Sequence, residues 1–493
     1  MPARRQSRGG NLPTDIPIDA LRKDALGVPH IVFFVVAAAA PLTAVVGVTP
    51  AAFILGNGAG VPLTFLLVGA LYLLFSAGFT AMSGFVGNCG GFYSYIVAGL
   101  GPAVGVAGAM IALATYATIE LGLCGLFGFF VDNMVTTYGG PPIPWWIYPM
   151  GLLALVYACG RRSIEFSGAV LACCMIAEVT ILLLMGVAIL VMVTAGPAKP
   201  VLFAPFGPAT LTPGLGMSLV FVVTAFIGFE ATAIFGEEAR DRGRTIPRAT
   251  YIAVVLIALF YAFTTWTIIL YYGPDRIQEQ AEQHTATLYL AAVKALLGRG
   301  AGHVMEGLLL ASLFACALSF HNTLNRYLFA AGREGLLWRG LGRTHRHHHS
   351  PLYAGAVQTA VMLAAVALFA LAGADPYAVV FAWMGTFSSL GILILQLLVS
   401  IAVVAFFWRK TYGMSLWRRL IAPGLSAVGL AVCFVLMAGN LELVSGSSSR
   451  IVQGFPLILL GIGLAGIGFV AWLKARKPRV YADLGRSFNQ ELG

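Results

Sequence analysis

The stretch "TAFIGFEATAIFGEEARDRGRTIPRA", Thr224–Ala249, sets one carboxylate, Glu230, inside an apolar run and then closes in a dense knot of charge. Gly228 lies two residues before Glu230, between bulky side chains. A soluble protein could hide such a carboxylate in a cleft. The remainder of the chain excludes that setting. Its 493 residues are 59% hydrophobic and only 10% charged, with a mean hydropathy of +0.86. Soluble domains carry about a quarter charged residues, so this chain cannot cover a water-facing surface. Its solvent is lipid, where a spanning helix needs roughly 20 apolar residues.

Twelve apolar runs are readable, near 28–48, 62–84, 101–131, 143–159, 164–194, 213–236, 249–272, 303–331, 352–373, 377–407, 418–438 and 454–473. None shows the short alternating segments of a membrane β-barrel. The expected fold is therefore an all-α polytopic membrane protein with twelve transmembrane helices. Positive charge tests the topology. With the N-terminus inside, 25 of the 30 Lys and Arg residues fall on the inner side, as the positive-inside rule requires. Residues 1–27 and 474–493 read as cytoplasmic tails, and the N-terminal one lacks the apolar region of a signal peptide. The same asymmetry explains the net charge of +10 without a nucleic-acid partner.

Seven cysteines are scattered without metal-ligand or disulfide spacing. The run His347–His349 resembles a metal-binding tract but sits in a basic inner loop, so it reads as a solvated face. No cofactor, metal or nucleotide motif is expected, and the chain does not read as an enzyme.

Inside a span, glycine permits local unwinding where the freed backbone groups line a cavity. Span 1 has a comparable weak point at "VVAAAAPLTAVVG", residues 35–47, where Pro41 removes a backbone donor and disfavours helical geometry at Ala40. Offset by 187 positions, Pro41 falls on Gly228 and Thr43 on Glu230. Interrupted spans at matching places point to an inverted-repeat transporter. Spans 1–5 and 6–10, residues 28–410, would be the two halves, with spans 11 and 12, residues 411–473, appended. Half-helix N-termini would offer amides to a carboxylate, and unwound carbonyls would accept from an ammonium. Ala39, Ala40, Pro41, Leu42 and Thr43 in span 1, with Phe226, Ile227, Gly228, Phe229 and Glu230 in span 6, are the candidate substrate-binding residues.

The run "GFEATAIFGEEARDRGRTIPRA" resembles the sixth-span signature of the amino acid–polyamine–organocation (APC) permeases. "NTLNRYLFAAGREGLLWRGLGRTHRHHHSP", residues 322–351, is similar to that family's exit from span 8, and "GNCGGFYSYI", residues 87–96, to its loop between spans 2 and 3. One departure is Arg242, where the family often has proline. The resemblance implies a leucine-transporter-like five-plus-five fold and alternating access about a central site. It also implies that Glu237, Glu238, Arg240, Asp241 and Arg248 lie at the inner mouth as a cytoplasmic ionic gate.

Two further glutamates lie well inside spans, away from the ends of the runs. Glu120 in span 3 joins the substrate-binding candidates, with Tyr116 on its helical face. Desolvation favours the neutral form of a carboxyl, and Glu178 in span 5 is the candidate for proton coupling. Ser312, Ser319 and Thr323 in span 8, and Thr386, Ser389 and Gln396 in span 10, are possible path-lining groups. The expected function is secondary transport of amino acids across the cytoplasmic membrane, proton-coupled or exchanging, with a lean toward cationic substrates from Glu230 and Glu120. A polyamine or organocation transporter of the same fold, or a non-transporting amino acid sensor, stays open.

Overall fold

The computed structural model describes residues 25–86, 90–162, 164–196, 202–345 and 350–484. The His347–His349 run, residues 1–24 of the N-terminal tail and residues 485–493 of the C-terminal tail lie outside the described residues. Within them the chain is helical, and pairing of extended backbone is confined to two isolated bridges, Leu26 with Ala239 and Thr344 with Pro351.

Each apolar run of the sequence occurs as helix. Eleven segments are long and apolar enough to cross a membrane, from Val28–Gly47 to Phe455–Arg476. The fourth run is a shorter apolar helix, Ile147–Gly160. The spans are numbered 1 to 12 in chain order. The long connection after span 7 holds two helices, Ile277–Gln283 and Leu288–Leu297. Leu184, Val187 and Val191 on span 5, Val428, Val432 and Val435 on span 11, and Leu457, Leu460 and Leu464 on span 12 are exposed on the outside of the bundle. So much exposed apolar surface suits a lipid boundary rather than water.

Spans 1 and 6 are the two broken helices. Span 1 is a helix over Val28–Ala39 and another over Pro41–Gly47, hinged at Ala40 with φ 46° and ψ 72°. Pro41 accounts for this locally. It has no N–H to continue the ladder and pushes the preceding residue out of right-handed helical geometry, while its fixed φ suits the first position of a new helix. Span 6 is helical over Leu215–Thr224, passes through turns to Gly228, and resumes as a tight 3-10 helix over Phe229–Phe235. Gly228 has φ 115°, a region that side-chain-bearing residues avoid.

The other spans hold these two in the middle of the bundle. Span 2 packs along span 7, span 3 along spans 10 and 12, and span 8 along spans 3 and 5. The first half of span 1 lies against spans 5, 7 and 8, and the first half of span 6 lies against span 2. The two broken spans are thus enclosed by other helices of an all-helical membrane fold.

Candidate functional site

The two breaks touch. A Cβ added to Gly228 would lie 2.7 Å from the Ala38 Cβ and 3.2 Å from the Ala38 carbonyl carbon. Only glycine allows the span 6 backbone to come this close to span 1.

Breaking a helix inside lipid leaves backbone groups that need partners, and side chains of other spans supply them here. In span 1 the Ala39 carbonyl accepts from the Tyr261 hydroxyl of span 7 at 2.9 Å. The Ala38 carbonyl accepts from the Cys316 thiol of span 8 at 3.1 Å. The Leu42 amide donates to Glu178 Oε2 of span 5 at 3.1 Å. The Ser312 hydroxyl donates to the same oxygen at 2.8 Å, and the Thr43 hydroxyl donates to Ser312 Oγ at 3.0 Å. Glu178 therefore ties spans 1, 5 and 8 together at the start of the second half-helix, with its other oxygen, Oε1, lacking a hydrogen-bond partner among the described residues. A protein carboxylate thus takes the Leu42 amide that the sequence had offered to a substrate.

In span 6, Glu230 Oε2 accepts from the Gly228 amide at 3.0 Å, and Oε1 accepts from the Tyr116 hydroxyl at 3.1 Å. Glu230 is buried and closes its own turn. Tyr116 shares a helical face with Glu120 yet partners Glu230. Glu120 instead faces His321 Nδ1 at 3.2 Å and accepts from the Gln358 side-chain amide.

A cavity of about 400 Å³ opens at the crossing. Ala39, Ala40, Thr43 and Ile227 line it, as do Thr386 and Ser389 of span 10. Pro41, Leu42, Phe226, Gly228, Phe229, Glu230 and Glu120 do not appear in its wall. They build the breaks or stand behind them. The cavity runs from the breaks to Val444–Gly446 in the connection between spans 11 and 12.

At the opposite end, two ion pairs join span 8 to the segment after span 6. Arg326 of span 8 grips Glu238 in two hydrogen bonds, Nε to Oε2 at 2.8 Å and one terminal nitrogen to Oε1 at 3.0 Å. Both side chains are 3% exposed. Arg333, two turns on, pairs with Glu237 at 2.5 Å. Leu26 adds a backbone strap, its amide donating to the Glu238 carbonyl and its carbonyl accepting from the Arg240 amide, each at 2.9 Å. Span 8 thus supplies an arginine partner to each of Glu237 and Glu238. Asp241 contacts Arg244 at 3.5 Å at the exposed surface, and Arg248 is exposed. Asp241 takes φ 42°, so the chain reaches the same left-handed conformation as Ala40 here without a proline after it.

Sequence reasoning missed Arg326 and Arg333 as the partners of Glu238 and Glu237. The signal was present: an arginine within an apolar helical run demands a buried partner.

A profile of the amino acid permease family matches residues 30–481. The chain belongs to the amino acid permease family. Its members are transporters rather than enzymes, and with its apolar helices the chain is a multi-pass membrane protein. It is 30% identical over 248 residues to an uncharacterized transporter of Mycobacterium tuberculosis (strain ATCC 25618 / H37Rv), covering 50% of this chain and 48% of that protein. The alignment thus spans about half the length of that relative. The low-affinity putrescine importer PlaP of Escherichia coli (strain K12) is 23% identical over 387 residues, covering 76% of this chain and 78% of PlaP. The branched-chain amino acid permease BcaP of Lactococcus lactis is 25% identical over 238 residues, covering 47% of each chain.

Proposed function

We propose that this chain is a secondary transporter that carries an amino acid through the cavity at the crossing of spans 1 and 6 by alternating access. The single observation that carries the reading is a cavity at the contact of two broken helices, walled by unwound backbone, with the buried Arg326–Glu238 pair at the opposite end. The positive-inside count supports placing that end, which the pair seals, and both termini, in the cytoplasm. The cavity then faces outward, in the cytoplasmic membrane.

Coupling is assigned to a proton on Glu178. An ionised Glu178 accepts from both Leu42 and Ser312. A proton taken on the unpartnered Oε1 neutralises the carboxyl and makes Oε2 a weaker acceptor, which loosens that tie and releases the second half of span 1 from spans 5 and 8. The cationic lean finds no support in the cavity wall, because Glu230 and Glu120 both face other partners. The likeness to a putrescine importer favours an amine as the second reading.

The test is uptake of labelled amino acids and putrescine into proteoliposomes, with an inward proton gradient, an inward sodium gradient, or unlabelled substrate inside. Proton-driven accumulation by the wild type is expected. Glu178→Gln should lose at least tenfold of it while keeping exchange between labelled and unlabelled substrate. Gradient-driven accumulation retained in Glu178→Gln removes Glu178 from coupling. Absence of uptake under all three conditions by folded protein contradicts transport.

A further inference from the structure

The cavity wall also bears on the substrate side chain, provided the cavity is the substrate site as proposed above. Among the described residues that line it there is no Asp, Glu, Lys, Arg or His. Its polar groups are neutral hydroxyls and a thiol, such as Thr43, Thr224, Thr386 and Ser389, and its bulk comes from Ile119, Leu123, Phe320 and Phe381. Three carboxylates lie near the breaks, none of them in the cavity wall: Glu230 is bound to Tyr116 and the Gly228 amide, Glu120 to His321 and Gln358, and Glu178 to the Leu42 amide and Ser312. A cationic side chain entering this space would give up water without gaining a charged partner in the wall, which disfavours it.

Space is the second observation. Gly385 of span 10 lines the cavity, and a Cβ added there would meet no atom within 4 Å. Gly391, less than two turns further along the same helix, is different: its Cβ would fall 2.1 Å from Thr115 Oγ1 of span 3. Gly391 lets two helices approach. Gly385 serves no such contact, and the volume its missing side chain leaves belongs to the cavity.

We infer that the substrate is an amino acid with a bulky, uncharged, apolar side chain, aromatic or branched, and that Gly385 is the specificity-determining residue that keeps room for it.

The test uses proteoliposomes and five labelled probes: phenylalanine, leucine, alanine, arginine and putrescine. Phenylalanine and leucine should be taken up at least tenfold faster than arginine or putrescine. Gly385→Leu, checked as monodisperse in detergent, should lower the ratio of phenylalanine to alanine uptake by roughly tenfold, the scale on which a methylene or two is discriminated in an apolar pocket. Gly385→Ala should lower it less. Uptake of arginine or putrescine in preference to phenylalanine and leucine overturns the inference and leaves transport standing. Uptake of none of the five overturns the transport reading on which it rests. An unchanged ratio in a folded Gly385→Leu protein overturns the role of Gly385.

Discussion

Ala40 holds a left-handed backbone without being glycine, at a cost of about 1–2 kcal/mol. The Tyr261 and Cys316 hydrogen bonds to the flanking carbonyls keep it there. Gly228 faces the harder constraint, since a side chain there meets both a disfavoured φ and the Ala38 backbone. Gly228→Ala should destabilise the protein by more than about 1–3 kcal/mol, the usual cost of a strained backbone residue, and abolish uptake. Thermal unfolding of the purified protein, read beside transport, checks both. Glu334, just past the end of span 8, offers a pH test. Burial pushes its carboxyl from the ordinary 4.5 up to about 7, opposed by the Tyr93 hydrogen bond and by Arg333. A raised carboxyl stabilises the fold fully below the unfolded value and loses that contribution as pH rises through the folded one. The unfolding temperature should therefore fall between pH 5 and pH 8, and fall less in Glu334→Gln. A pH profile identical in wild type and variant contradicts this assignment.

At the scale of elements, the seal depends on span 8 meeting the segment after span 6. Removing one partner of a buried ion pair typically costs about 3–5 kcal/mol because the other charge is stranded. Arg326→Met should therefore be markedly destabilised, and Arg326→Met with Glu238→Gln should regain much of the stability. The double variant should still leave the seal open, read as faster labelling, from the cytoplasmic side, of a cysteine placed at Ser319. Equal labelling rates in the double variant and in Ser319→Cys alone would show that the pair does not close the path. The helices themselves were legible in the sequence, because twelve apolar runs separated by charged or Gly/Pro-rich connections admit few other readings. Both breaks were legible too, from Pro41 and Gly228. The pairings were not. Glu178 reaches Leu42 across 136 positions and Arg326 reaches Glu238 across 88, and no local pattern carries such distances. For the same reason Glu230 and Glu120 looked available to a substrate when each was bound to another span.

For the molecule as a whole, the cavity lies between a fixed set of packed spans and two helices weakened at their middles. Transport needs that cavity to be the place where substrate sits, whatever the coupling ion. Gly385→Cys, in a background where the native thiols are removed and Cys316 is replaced by serine so that a hydroxyl still donates to the Ala38 carbonyl, places a reactive group in the wall where an added Cβ meets no atom within 4 Å. The most direct measurement is modification of this cysteine by a bulky methanethiosulfonate in proteoliposomes, with uptake followed before and after. Modification should abolish uptake, and transported substrate should slow the reaction in proportion to its occupancy. Complete modification with uptake unchanged would place the transport path elsewhere and contradict the account.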